Sequence, residues 1–186
     1  MPHTRITRPD DTEYPAYFQR YIALVPDGNV IEQLTEQAAA TRALVGSLAD
    51  SDARFRYAPG KWSIKETIGH VTDTERVMTY RAVCFARGEQ GVLPSFDENA
   101  YVAASRFDER ALASLLAELA SVRAATVAFF DGLSADELLR RGRTPSGEYT
   151  VRALAYIVAG HERHHQNILR ERYHAALLSG VAAAAR

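Results

Sequence analysis

From Ser63 to Arg87 the chain carries no proline, and Ile64, Val71, Met78 and Phe85 recur every seven residues. Seven residues lie close to two α-helical turns, so these side chains form one narrow stripe that needs a partner surface. Ser63 and Glu66 stand in capping-box spacing at the start of the segment. Two other segments carry apolar residues at helical intervals. Residues 29 to about 49 hold Ile31, Leu34, Ala38, Leu44, Val45 and Leu48, and residues 108 to about 130 hold Leu112, Leu115, Leu116, Leu119, Val122, Val127 and Phe130. A fourth helix is predicted from the cap Thr150 to about Tyr173. With no competing strand pattern, the expected fold is all-α: a four-helix bundle with a long crossover connection, residues 88–107, between helices two and three.

The same punctuation predicts a short aromatic helix over residues 14–24, a helical turn at Ser134 to Glu137, and a basic loop over residues 140–148 containing Gly and Pro. One domain over residues 1–186 is expected, with a core at about 14–173 and a peripheral N-terminal arm and Ala-rich tail. A chain of 186 residues can bury a sizeable core without disulfides or a structural metal. Twenty-two Lys and Arg against 23 Asp and Glu leave a net charge of −1, so no basic field attracts nucleic acid or anionic membrane. No apolar run approaches the roughly 18 residues of a membrane span. Cys84 is the single cysteine, which excludes an internal disulfide and suits a reducing compartment; the cytosol is expected.

Six histidines are present, and three of them, His161, His164 and His165, fall within five residues. On the wheel of helix four, His165 lies about 40° from His161, and both sit in the stripe of Leu154, Ile157, Val158 and Ile168. His164 falls at the edge of the stripe, and Glu162, about 100° round, is expected to face solvent. Two imidazoles one turn apart can clamp one cation, and they can equally hydrogen-bond to backbone or to each other. His70 reads as a residue at the rim of a cleft, flanked one turn either way by Glu66 and Thr74. By periodicity alone an ordinary interhelical contact serves it as well as coordination. His3 lies in the N-terminal arm and His174 lies beyond the useful part of helix four.

The run Pro59-Gly60-Lys61-Trp62-Ser63-Ile64-Lys65-Glu66-Thr67-Ile68-Gly69-His70-Val71-Thr72-Asp73-Thr74-Glu75-Arg76 resembles the signature of the DinB-like superfamily. Leu93 to Tyr101 and Ala159 to Leu169 resemble, in the same order, the loop after that helix and the last long helix of the family. The resemblance covers about residues 14–173. It implies a four-helix bundle, often dimeric, in which His70, His161 and His165 bind a divalent metal, zinc or nickel standing first. It also implies a metal-dependent S-transferase that uses a low-molecular-weight thiol on a small electrophile. A metal-dependent hydrolase or isomerase using bound water, or a non-catalytic metal-binding protein, remains the alternative. Imidazole suits nickel, cobalt, iron and copper as well as zinc, so the donor type does not name the ion.

Around the implied site, Glu66 is expected either to orient His70 or to serve its capping box, and Thr74 to orient His70 from the following turn. Asp97, Glu98 and Tyr101 lie on the long connection and are candidates to cover the metal, with ordinary turn or cap chemistry the alternative for Asp97 to Asn99. Arg140, Arg141 and Arg143 are candidates to attract an anionic cosubstrate, or form a solvated loop. Trp62 is expected to be a packing anchor and Cys84 a buried structural thiol.

Overall fold

The computed structural model describes residues 5–174; His3 and the Ala-rich tail lie outside them. Four long helices carry the fold: α2 (Val30–Val45), α3 (Ile64–Ala86), α5 (Leu112–Asp131) and α7 (Val151–Ile168), the last continuing as a π-helical stretch, Leu169–His174. Shorter elements sit between them: α1 (Gln19–Ile22), α4 (Glu98–Ala104), α6 (Ala135–Leu139) and an antiparallel hairpin of β1 (Arg141–Thr144) and β2 (Gly147–Thr150). Both α2 and α3 pack against α5 and α7, so α2 and α3 occupy opposite corners of the bundle.

Local chemistry sets the helix ends. Ser63 accepts from the Glu66 amide at 3.0 Å while Glu66 accepts from the Ser63 amide at 2.8 Å, closing the expected capping box. Thr150 accepts from the Ala153 amide and starts α7. The stripe of α3 is buried as expected, with Ile64, Val71, Met78 and Phe85 all inside. The third long helix starts later than expected. Asp108 accepts from the Ser63 hydroxyl at 2.5 Å and pairs with Arg56 at 2.8 Å, and a distant carboxylate, Asp50, accepts from the Leu112 amide at 2.7 Å.

Several expectations are corrected. Residues 140–148 were expected to form an open loop but mostly belong to the hairpin, where Gly142 opposes Tyr149; these strands lack an alternating apolar pattern. The hairpin is held by tertiary contact: Gly142 lies against the Phe85 ring, leaving no room for a side chain, and Tyr149 is fully buried. The connection between α3 and α5 contains α4 rather than running extended throughout. Helix α5, by length and composition, is apolar enough to cross a membrane, more so than expected. In the fold it supplies Leu115, Leu116, Leu119 and Phe130 to the core.

The largest correction concerns Glu162, which is not on a solvent face but buried. Arg123 of α5 bonds Glu75 of α3 through Nε at 2.9 Å and Nη2 at 2.7 Å. The same Nη2 reaches Glu162 of α7 at 2.7 Å, and Nη1 donates to the Leu34 carbonyl of α2 at 2.8 Å. One guanidinium therefore joins all four long helices. Thr41 donates to Glu162 at 2.5 Å, and Gln166 donates to Thr41 at 2.9 Å, continuing the polar seam between α2 and α7. Removing one partner of such a cluster strands charge in a dry interior, so Arg123→Leu is expected to lower the free energy of unfolding by about 3–5 kcal/mol in urea titrations. A loss below about 1 kcal/mol would show that the cluster does not hold the bundle together.

Candidate metal centre

Histidines 161 and 165 project from the same face of α7, and His70 projects from α3 across the groove between these two helices. The Nε2 atoms of His70 and His161 are 3.1 Å apart. One ring nitrogen from each of His70, His161 and His165 lies within 4.8 Å of the others. All three side chains are buried, at 6–8% exposure. Thus the structure brings together the three histidines that the family resemblance groups.

The electrostatics favour the neutral, donor form of each ring. Burial first, and then the charge His164 would carry, push His70 down to about 4. Burial first, followed by the neighbouring imidazoles, holds His161 and His165 well below the ordinary range. Three unprotonated nitrogens converging on one point, with no cationic side chain between them, are chemically suited to a divalent cation. Thr74 Oγ1 stands 3.5 Å from His70 Nδ1, the ring nitrogen turned away from the cluster, consistent with the orienting role expected of it.

Aromatic rings fix the imidazoles from several sides. The Trp62 ring centroid is 4.5 Å from that of His70 and 6.4 Å from that of His165, so Trp62 walls the site rather than only anchoring the helix start. Tyr21 meets the edges of His161 and His164, both at 5.4 Å. Its approach depends on Gly160: a Cβ at that position would overlap the Tyr21 carbonyl. Burial, and then Tyr17, raise the Tyr21 hydroxyl to about 12, so the phenol beside the cluster stays neutral.

The cluster opens onto a cavity of about 520 Å³. Its walls come from the aromatic N-terminal segment, the polar face of α3, the segment before α4, and Ser146 at the hairpin turn. Glu98 is on its lining, but Asp97 is spent as the cap of α4, accepting from the Asn99 and Ala100 amides. Tyr101 does not line the cavity and packs on Phe96 at 5.4 Å. Glu66 serves its capping box and pairs with Arg56, so its role is at the helix start. Arg140 bonds the Ala86 carbonyl and Arg141 pairs with Glu148, while Arg143 offers its carbonyl to Leu93; none lines the cavity. Cys84 is half-buried against the core and also lies off the cavity. His164 lines the cavity outside the cluster.

Tyr17, Arg20, Tyr21, Arg81 and Phe96 on these walls were not read as site residues from the sequence. For Arg81 the signal was available: it follows His70 by eleven residues, which returns it to within about 20° of the same helix face.

A family model described as the DinB superfamily matches residues 33–169. No curated protein matches the chain. Among solved structures, the chain resembles YfiT from Bacillus subtilis, described as a probable metal-dependent hydrolase with an unusual four-helix bundle topology. That match has 21% identity and a TM-score of 0.66, covering 80% of this chain and 89% of YfiT.

The depressed His70 value gives a pH prediction for metal-free protein. The unfolded chain takes up a proton near 6.5, whereas folded His70 resists until about 4, so folding stability is present above the first value and is lost as pH falls toward the second. Thermal melts of chelator-treated protein should therefore drop steadily between these values, and His70→Ala should flatten the slope. An unchanged slope in the variant would remove His70 as its source.

Proposed function

Because the chain belongs to the DinB superfamily, we propose that His70, His161 and His165 hold one divalent cation, zinc or nickel first. We further propose that the protein is an S-transferase joining a low-molecular-weight thiol to a small electrophile, as a cytosolic homodimer. The observation that supports this most directly is a neutral, buried cluster of three imidazoles opening onto a cavity with room for small molecules and no cysteine of its own. A divalent cation bound there supplies Lewis acidity and lowers the pKa of a thiol or water that reaches it.

The chain's own residues set the rest. Three neutral imidazoles cancel none of the cation's charge, which favours an incoming sulfur in its anionic form. Cys84 lies off the cavity, so the reacting sulfur arrives with a cosubstrate. His164 is half-buried, and burial first, then Arg20, lowers its pKa, leaving a neutral imidazole on the cavity wall able to accept the thiol proton. As the sulfur–carbon bond forms, the leaving group departs with its electron pair. Trp62, Tyr21 and Phe96 exclude water around the reacting carbon.

Hydrolysis is the second reading. It is favoured by the description of YfiT and by the same His164, which can accept a proton from water as readily as from a thiol. Against it, Glu98 is the only carboxylate on the cavity lining among the described residues, and it is exposed.

A panel of glutathione, bacillithiol and mycothiol with 1-chloro-2,4-dinitrobenzene tests the first reading. Conjugation should vanish with chelator, return with zinc or nickel, and fall at least about a hundredfold in His161→Ala. Turnover of aryl esters without any thiol would transfer the assignment to hydrolysis.

A further inference from the structure

Arg81 is buried at 3% exposure, yet no carboxylate among the described residues pairs with it. A guanidinium carries five N–H donors. One bond goes to the Pro94 carbonyl at 2.8 Å and one weak contact goes to the Met78 sulfur at 3.6 Å. The contrast with Arg123 is direct: that buried guanidinium is matched by two carboxylates, whereas Arg81 has none. An uncompensated buried cation is costly, and its pKa is lowered by burial.

Its position suggests what balances it. Arg81 lines the cavity that holds His70, His161 and His165, and its guanidinium carbon lies 5.9 Å from the centroid of Phe96, another wall residue. Along α3 between His70 and Arg81 come Thr74 and Met78, both on the cavity lining. About 16 Å of helix axis separate His70 from Arg81. The other cation on the lining, Arg20, is exposed and already engaged: it lies 3.8 Å over the Tyr17 ring and donates to the Tyr21 hydroxyl at 3.0 Å.

We propose that Arg81 is the anion-recognising end of this cavity, so that its ligand is an elongated small molecule with a carboxylate or phosphate at Arg81, an apolar or aromatic middle, and its reacting end at the histidines. This rests on the reading of the cavity as the substrate site, but not on the identity of the reaction. Carboxylate and phosphate share the planar or tetrahedral oxygens that a guanidinium binds in pairs.

The sole tryptophan, Trp62, lines the same cavity and reports occupancy by fluorescence; calorimetry avoids any inner-filter effect of the probes. The probes are 1-naphthylacetate, 1-naphthyl phosphate and the neutral 1-naphthaleneacetamide, each titrated into metal-loaded and chelator-treated protein. At least one anion should bind about tenfold or more tightly than the amide, and the tighter of the two identifies the oxyanion. Arg81→Met should abolish that preference, Arg81→Lys should keep part of it, and Arg20→Met should leave it in place. Preference should persist without metal, because Arg81 is not a metal donor; this separates the present inference from the metal assignment, which fails if the wild-type protein binds no zinc or nickel. Equal affinity for anions and amide in the wild type would overturn the proposal. So would a preference that survives in Arg81→Met or disappears in Arg20→Met, with thermal melts confirming that each variant is folded.

Discussion

Arg123 is the charge on which the arrangement of the four long helices turns. Its guanidinium reaches Glu75 on α3, Glu162 on α7 and the Leu34 carbonyl on α2 from its own place on α5. Apolar packing alone tolerates small rotations of a helix about its axis, because one aliphatic side chain substitutes for another at similar volume. Ion pairs with fixed donors do not, since a rotation that breaks them leaves charge buried and unsatisfied. Glu162 is the neighbour of His161, and Glu75 lies five residues after His70. The rotation that satisfies Arg123 behind α3 and α7 is therefore the one that turns the histidines toward the cavity.

The site that results is dry on one side and open on the other. Imidazoles inside the groove are kept unprotonated by burial, while Tyr21 meets His161 edge-on and Trp62 lies tilted against His70. Tyr21 can reach His161 because Gly160, one residue earlier on α7, lets the backbone of α1 come close. A short segment before the bundle thereby becomes part of the wall of its centre.

Much of this was legible in the sequence where the signal was periodic or local. Ile64, Val71, Met78 and Phe85 announced the buried stripe of α3, and Ser63 with Glu66 announced its start. His161 and His165 could be placed on one inward face by angle, but His70 could be joined to them only through family resemblance, because periodicity within one helix carries no information about the distance to another. The polar seam was invisible for a related reason. Glu162 read as solvent-facing, Gln37, Thr41 and Arg123 drew no reading at all, and only the coincidence of complementary groups from different helices lets them be buried. The hairpin was missed because its strands are held by the close approach of Gly142 to Phe85, a tertiary contact with no local pattern.

The cavity draws its walls unevenly from the fold. The histidines and Arg81 belong to bundle helices, whereas Tyr17, Phe18, Ser95, Phe96, Glu98 and Ser146 come from segments outside the four long helices. Changes in that second group leave the Arg123 cluster untouched. Ligand range in such a chain can drift through its connecting segments while the histidine cluster and the scaffold behind it stay fixed, so two members with the same three histidines need not accept the same molecule.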